Sequence, residues 1–329
     1  ERDRALPEGR LPEESVHDDG SSRAGDPDGL PEDGLAPGLS VDGPVATLSL
    51  RRPARLNRLS GADLIELLRH CEAIDAQPAI RVVVLTADTG RQVRPVFSAG
   101  YDVAGFDGMD HDPLLFERTV DAVAQLRPVV IAGLNGSVYG GATDLVLACD
   151  LRIGLPDLAW RMPACALGLH YYPSGLRRYV DAFGPDRMRQ LFLTASPVSS
   201  EQLHQWGVLM ELVAADVWSQ RLDALAQQVA QLAPLAVQGT KASIRELAAG
   251  QWNETALRER ERRCADSEDF REGRQAMAER AADSRALITN LGAGVVVFRP
   301  DQSIVSANTA ARRFFGWPLD ESELAAPDW

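Results

Sequence analysis

Two glycine-containing segments hold the residue types best suited to catalysis: residues 97–102, FSAGYD, and residues 135–144, NGSVYGGATD. Each places glycine where we expect a strand to give way to a helix or a tight turn, so that backbone N–H groups point outward unobstructed. A helix start has unpaired amide donors, which suit an oxygen that gains negative charge. Two such amides on one carbonyl oxygen would form an oxyanion hole. Glycines that only shape turns are the alternative.

Further motifs extend over most of the chain. Residues 50–60, LRRPARLNRLS, lead into an expected helix; residues 145–150, LVLACD, follow the second glycine segment; and residues 267–276, SEDFREGRQA, come near the end of the pattern. Together with the glycine segments, they resemble the crotonase (enoyl-CoA hydratase/isomerase) superfamily. The resemblance implies an α/β fold, a crotonase-like β-β-α superhelix with a C-terminal helical region.

The resemblance also implies where an acyl-CoA thioester would bind. In crotonases two backbone amides hold the thioester oxygen, and the matching positions are Tyr101 and Gly141. Arg55 matches a loop that often contacts the CoA phosphates, with a solvated loop arginine as the alternative. We find no dinucleotide-binding glycine pattern or P-loop, and expect no metal site and no cofactor beyond the coenzyme A of the substrate. The remaining substrate-binding positions lie in the glycine segments: Ala99, Gly100, Asp102 and Gly140.

The acid–base positions of the family's hydratases are altered in this chain. Hydratases carry glutamates where this chain has Asp144 and Ala164, and an alanine can neither activate water nor deliver a proton. Asp144 falls in the first turn of the helix that begins near Gly141, where catalysis and simple helix capping are both open. His170, Tyr171 and Tyr172 replace a glycine-rich loop and would supply an imidazole base or phenolic donors. A ring that fills the pocket and a structural histidine are the alternatives.

Composition is that of an ordinary globular protein, with 329 residues, 45% hydrophobic and 25% charged. The formal net charge of −13 disfavours nucleic acid and anionic membrane surfaces as partners. No apolar run has the length of a membrane helix, and the first residues lack an apolar secretory core. We therefore expect a cytoplasmic location, in which the scattered cysteines are reduced thiols: Cys71, Cys149, Cys165 and Cys264.

The chain divides into three predicted regions. Residues 1–42 read as a disordered acidic tail because they cannot bury enough apolar surface to offset their ordering entropy. Residues 43–284 form the crotonase-like acyl-CoA domain, and residues 285–329 form a third region. Periodicity within the second region predicts strands at 45–50, 80–86, 128–134 and 151–154, and helices at 62–76, 185–194, 200–207, 217–232, 234–249, 253–266 and 267–283.

The helical end of the second region is expected to form oligomers. The family resemblance implies a homotrimer or a hexamer built through these helices. Residues 217–232 carry apolar side chains beyond a single stripe, which calls for a second partner. The side chains that support this expectation are Leu222, Leu225, Val229 and Leu232.

Residues 285–329 resemble the N-terminal part of a PAS sensor domain. Residues 294–316 carry the spacing G-V-x-V-x-x-x-D-x-x-I-x-x-x-N-x-A-A-x-x-x-F-G. We expect a partial β-β-α segment: strands within 288–301 and 303–308, then a helix at 309–315. A hairpin and one helix cannot make an independent core. An accidental hairpin extension of the preceding domain is the alternative.

The sequence thus predicts an enzyme that binds an acyl-CoA thioester and stabilises its enolate, by a reaction other than simple hydration. Isomerisation, decarboxylation and C–C bond cleavage remain open, with Asp144 and either His170 or Tyr171 moving protons. The alternative is a non-catalytic acyl-CoA sensor or interaction module coupled to the PAS-like segment.

Overall fold

The computed structural model describes residues 34–90, 92–102, 112–290, 293–298 and 304–315. Its main sheet has six strands: β1 (Leu35–Asp42), β2 (Val45–Arg51), β3 (Val82–Ala87), β5 (Val129–Leu134), β7 (Leu151–Gly154) and β10 (Glu211–Leu212). They lie in the order β1-β2-β3-β5-β7-β10. Only the β1–β2 pair of this sheet is antiparallel.

Strands β3 and β5 form the centre of this sheet because their sequences, VVVLTA and VVIAGL, are apolar on both faces. Parallel strands covered on both faces bury nearly every side chain. The strands predicted at residues 45–50, 80–86, 128–134 and 151–154 are confirmed, with ends that move by at most two residues.

Strand β1 corrects the prediction that all of residues 1–42 are disordered. Leu39 lies opposite Leu48 of β2, and the carbonyl oxygen of Pro37 is 3.0 Å from Nε2 of His70 on the following helix. Most side chains of β1 are partly or fully exposed, so its sequence lacks the apolar pattern of a buried strand. Main-chain hydrogen bonds to β2 hold β1 in place. The rest of the predicted tail, residues 1–33, lies outside the described residues.

A second sheet, of four short strands, positions the glycine segments. Its strands are β4 (Val96–Ser98), β6 (Ser137–Tyr139), β8 (Ala159–Arg161) and β9 (Val198–Ser199). Strands β4 and β6 run parallel with Val96 opposite Ser137, and a β-carbon on Gly136 would lie 2.5 Å from the backbone nitrogen of Phe97. The carboxyl ends of these two strands therefore lie side by side, and the glycine segments leave the sheet together.

Helices pack around both sheets. The predicted helices are present, but α2 (Leu115–Gln125) and the first half of α4 (Pro173–Thr194) had no prediction, and residues 169–175 were interpreted as a loop. Gly184 kinks α4 with φ +68° just before Pro185. No helix among the described residues is long and apolar enough to cross a membrane. The helices up to the end of the second region are α1 (Gly61–Asp75), α2 (Leu115–Gln125), α3 (Gly141–Leu147), α4 (Pro173–Thr194), α5 (Ser200–Gln205), α6 (Trp218–Ala230), α7 (Pro234–Ala248), α8 (Glu254–Ala265) and α9 (Glu268–Asn290).

The apolar face of α6 packs on the chain's own sheet. Leu222 and Leu225 are buried in a cluster with side chains of β3, β5 and β7, and a β-carbon on Gly133 would meet Leu222 at 2.8 Å. Leu222 and Leu225 therefore do not supply the free face from which an oligomer was predicted. Val229 is partly buried on the same cluster, and Leu232 is exposed.

Helix α9 continues across the predicted domain boundary at residue 285 and ends at Asn290. Residues 288–290, predicted to begin a strand, are therefore helical. Two antiparallel strands and a helix follow in the predicted order: β11 (Val296–Phe298), β12 (Ile304–Ala307) and α10 (Thr309–Phe315). Asn308 connects them, because its Oδ1 accepts hydrogen bonds from the N–H groups of Val295 and Ala311, both at 2.9 Å.

Candidate active site

The two glycine segments touch at Gly100 and Gly141. Gly100 has φ +95°, and a β-carbon on it would lie 3.0 Å from the backbone nitrogen of Gly141 and 2.7 Å from the carbonyl oxygen of Tyr139. Gly140, with φ +55° and ψ −137°, then turns the chain into α3, whose first residue is Gly141. An N–H group at the first helical position has no acceptor within its own helix. Glycine is required here because the two backbones approach so closely.

Tyr101 is held by strand-like pairing with Leu59. The N–H of Leu59 donates to the oxygen of Gly100, and the N–H of Asp102 donates to the oxygen of Leu59, both at 2.9 Å. In such a parallel bridge the N–H of the middle residue, Tyr101, points away from its partner strand. The two predicted amide donors therefore lie on adjoining backbone segments.

The carboxylate of Asp144 lies in α3 and is fully buried in a two-point ion pair with Arg178 of α4. Nε of Arg178 donates to Oδ1 and Nη2 donates to Oδ2, both at 2.8 Å. The phenol of Tyr172 donates a short hydrogen bond to Oδ2, which also accepts from Tyr171 at 3.4 Å. Nη1 of Arg178 reaches Oδ1 of Asp121 at 2.6 Å. Both oxygens of Asp144 are therefore engaged.

Electrostatics keep the neighbours of Asp144 in one protonation state. Burial raises the pKa of Tyr171 and of Tyr172, and the negative charge of Asp144 raises both further. Burial alone would lower the pKa of Arg178, but the hydrogen bonds and charge of Asp144, with the hydrogen bond to Asp121, outweigh it and hold the pKa above its usual value. At neutral pH the tyrosines are neutral donors and Arg178 is a cation.

Four aromatic side chains, called here the ring cluster, stand beside the amide donors: Tyr101, Phe116, Tyr171 and Tyr172. The ring of Phe116 covers Gly141 so closely that a β-carbon there would lie 2.6 Å from Cζ. Phe116 stacks on Tyr101 with ring centroids 5.2 Å apart, and meets Tyr172 edge-on at 6.0 Å. Tyr172 in turn stacks on Tyr171 at 4.4 Å. The cluster joins the Gly141 amide to the Asp144 ion pair.

Two positions discussed from the sequence do not contribute to this arrangement. One lies at the surface, and the other has no acid–base group. His170 has an exposed side chain in the loop that precedes α4. Ala164, where hydratases place a glutamate, is buried at the start of a short 3-10 turn, Ala164–Leu167. Within the described part of the chain, no group of three or more His, Cys, Asp or Glu side chains could hold a metal ion.

A cationic cavity adjoins the first glycine segment. It has a volume of about 440 Å³, and its lining includes three arginines and two aspartates: Arg52, Arg55, Arg58, Asp63 and Asp102. Nε of Arg52 is 3.1 Å from Oδ1 of Asp63. Arg55 and Arg58 are exposed, and Nη1 of Arg58 is 3.6 Å from Oδ1 of Asp102. Asp102, which lines the cavity, directly follows Tyr101 in the chain, so the cavity adjoins the segment that holds the Tyr101 donor.

Sequence reasoning missed Arg178, Phe116 and Asp121. Arg178 lies on the part of α4 that had no predicted helix, although Pro173 at its first position is a recognised start signal. An aspartate in the first turn of an otherwise apolar helix, once buried, also requires a charged or hydrogen-bonding partner. Phe116 could not be assigned without the parallel β4–β6 pair, which brings Gly141 to its ring.

The match to a family model decides the identity of residues 41–284, which fit the model described as enoyl-CoA hydratase/isomerase. The chain belongs to this family. Residues 282–329 match a PAS domain model. The resemblance stated from the motifs is confirmed, as is the α/β crotonase fold, and the chain is an acyl-CoA-processing enzyme of the crotonase family.

Similar proteins of the family differ in their chemistry. A methylmalonyl-CoA decarboxylase of Escherichia coli is 28% identical over 244 residues, 72% of this chain and 92% of that protein. A probable enoyl-CoA hydratase of Mycobacterium leprae is 33% identical over 207 residues, 60% of this chain and 77% of that protein. A solved structure of methylmalonyl-CoA decarboxylase in complex with 2-nitronate-propionyl-CoA has a TM-score of 0.61 at 25% identity, covering 75% of this chain and 96% of that one.

Proposed function

We propose that this protein decarboxylates a 2-carboxyacyl-CoA thioester through an enolate held by the amides of Tyr101 and Gly141. One observation carries the proposal: both oxygens of Asp144 are bound by Arg178, Tyr172 and Tyr171. A carboxylate so engaged is a poor general base. Hydration and double-bond isomerisation both need a group that moves a proton to or from carbon.

Decarboxylation forms the enolate without removing a proton. The bond between Cα and the carboxylate breaks, CO₂ leaves, and the electron pair flows onto the thioester oxygen. The two amide donors stabilise that oxygen as its charge grows. Water then protonates Cα to give the shortened acyl-CoA. Ala164, which lacks an acid–base group, is no obstacle to this sequence.

The relatives support this choice among the reactions that the motifs left open. A methylmalonyl-CoA decarboxylase is similar to this chain over 244 residues. In a solved complex of a methylmalonyl-CoA decarboxylase, the bound nitronate has the charge arrangement of an enolate. In the present chain the cavity lined by Arg55 and Arg58 would hold the CoA phosphates.

The test is product analysis with malonyl-CoA and methylmalonyl-CoA, followed by CO₂ release and mass spectrometry of the thioester. We expect Gly141→Pro to lower the rate about 10²–10³-fold, because it removes one oxyanion donor. Gly141→Ala is the matched control, since it places the same β-carbon against Phe116 and keeps the N–H. Rates that are equal in the two variants and still above background would rule out the amide assignment.

A non-catalytic acyl-CoA sensor is the second candidate, favoured by the PAS match at residues 282–329 and by Ala164. Under this alternative, CoA thioesters would raise the melting temperature by mass action. The free energy of unfolding would increase by about 2.7 kcal/mol at a ligand concentration a hundred times the dissociation constant. No thioester would lose CO₂ or change mass. Turnover by the wild-type protein would exclude it.

We also propose that the protein assembles as a homotrimer, or a hexamer of two trimers. Helices α7 and α8 bury no residue, and a groove of about 880 Å³ lies between α7, α8 and the start of α9. A second copy would cover the exposed apolar side chains in this groove: Ile244, Leu247, Trp252 and Phe270.

A further inference from the structure

We propose that Phe116, backed by Tyr172, restricts the substrate to thioesters with short acyl groups, so that chains much longer than a propionyl unit are excluded. The inference rests on the proposed function, which places the thioester oxygen at the two amides and the CoA portion in the arginine-lined cavity. It goes further in naming the size class of the acyl group and the residues that set it.

The first step is the position of the thioester carbonyl. The amide donors of Tyr101 and Gly141 fix where its oxygen would lie, and the cavity lined by Arg55 and Arg58 lies on the Asp102 side of those donors. With the CoA portion on that side, the acyl portion extends from the carbonyl carbon in the opposite direction. That direction leads over Gly141 toward Asp144 along the first turn of α3.

The second step is the space along this direction. The ring of Phe116 lies directly against Gly141, since a β-carbon on Gly141 would be 2.6 Å from Cζ, and it therefore stands in the path that a long acyl chain would take past this residue. A real β-carbon contact is rarely closer than 3.0 Å. The ring is itself only 8% exposed, so it is packed in place and not a mobile cover.

The third step is what holds the ring there. Phe116 is stacked on Tyr101 on one side and meets Tyr172 on the other. Tyr172 cannot swing away freely, because its phenol is bound to Asp144 and its ring is stacked on Tyr171. A β-carbon on Gly175 would meet Tyr171 at 2.4 Å, so the backbone of α4 closes the far side. Moving Phe116 aside for a long chain would disturb all of these contacts.

The experiment measures dissociation constants of full-length protein for free CoA and for acetyl-, butyryl- and octanoyl-CoA by calorimetry. Wild-type protein should bind octanoyl-CoA at least about tenfold more weakly than acetyl-CoA. Phe116→Ala should bring the two within about threefold, and Phe116→Leu should lie between. The leucine variant serves where the alanine variant fails to fold, as checked by circular dichroism.

Two controls separate ring bulk from other effects. Leu115→Ala removes a buried side chain from the same helix but outside the ring cluster, and should leave the octanoyl-to-acetyl ratio unchanged. Tyr172→Phe keeps the ring and its stack on Tyr171 but loses the bond to Asp144 that helps to hold it, and should move the ratio by less than Phe116→Leu does. Octanoyl-CoA bound as tightly as acetyl-CoA by wild-type protein, a ratio unmoved in a folded Phe116 variant, or no binding of any thioester would overturn the inference. Short-chain preference without CO₂ release would refute the decarboxylase proposal alone.

Discussion

At the residue scale, the ion pair between Asp144 and Arg178 decides what the predicted catalytic carboxylate can do. Residues near Asp144 in sequence suggested either catalysis or capping, and both readings concerned a single helix. Its partner comes from a different helix, and the pair is closed by the phenol of Tyr172. Local sequence could locate the aspartate but not its partners, because a buried charge finds its counter-charge through tertiary contacts.

Removing the cation should cost stability. We expect Arg178→Met to lower the free energy of unfolding by about 3–5 kcal/mol, because it leaves the buried Asp144 carboxylate without its main partner. Arg177→Met is the matched control on the exposed side of the same helix and should change stability by less than about 0.5 kcal/mol. Urea denaturation followed by circular dichroism would measure both. Equal midpoints would mean that the ion pair contributes nothing.

The raised pKa of Tyr172 predicts a loss of stability at high pH. Burial and the charge of Asp144 raise this pKa in the folded protein, whereas an unfolded tyrosine titrates near about 10. The contribution is therefore complete below about pH 10 and is lost as pH rises from there toward the folded pKa. Above pH 10 the melting temperature of wild-type protein should fall more steeply than that of Tyr172→Phe, because other groups titrate alike in both. Parallel curves would contradict the assignment.

Crotonyl-CoA hydration should be at least about a thousandfold slower than in a hydratase with both glutamates. One acid–base group is worth roughly 10²–10⁴ in rate, and here Ala164 lacks it while Asp144 is engaged. A spectrophotometric assay of the enoyl thioester would measure this. Turnover within tenfold of such a hydratase would show that another side chain supplies the missing chemistry.

At the element scale, helices and strands could be predicted from the sequence where they are long enough to show a repeating pattern of apolar residues. Strand β5 and helix α1 were recognisable because six or more residues repeat a pattern on their own. The three-residue strands β4, β6 and β8 carry too few residues for a period, and pairing with one another defines them. These short strands bring the glycine segments together. The motifs thus predicted the amide pair through family resemblance, while its geometry depended on elements that local patterns miss.

A largely buried cation, Lys241, helps to attach helix α7 to the sheet. Nζ of Lys241 is 2.6 Å from Oδ2 of Asp150 and donates to the oxygen of Pro128 at 2.7 Å. We expect Lys241→Met to lower the free energy of unfolding by about 1–3 kcal/mol, because it removes the counter-charge of Asp150 and the donor to the oxygen of Pro128. Arg245→Met, one turn later, is the control, because Arg245 is exposed and makes only a 3.3 Å hydrogen bond to the oxygen of Ala124. Thermal melts of the two variants that coincide would argue against this anchor.

At the scale of the whole molecule, the groove between α7, α8 and α9 should be the assembly surface. Ile244→Glu places a charge in it and should convert trimers or hexamers to monomers in light scattering. Ile65→Glu is the control, since Ile65 on α1 is 60% exposed and Ile244 is 61% exposed. Wild-type protein that is strictly monomeric at micromolar concentration would contradict the proposed assembly, as would an Ile244→Glu variant that still assembles.

Helix α9 runs through residues 282–284, which both family models claim, and continues to Asn290. A flexible linker tolerates changes in length, whereas a helix advances about 1.5 Å and turns about 100° with each residue. The number of helical residues between the two matched regions therefore sets their relative rotation about the helix axis as well as their separation. Inserting one residue between 284 and 290 would rotate everything beyond it by more than a quarter turn, while four residues would nearly restore the original phase.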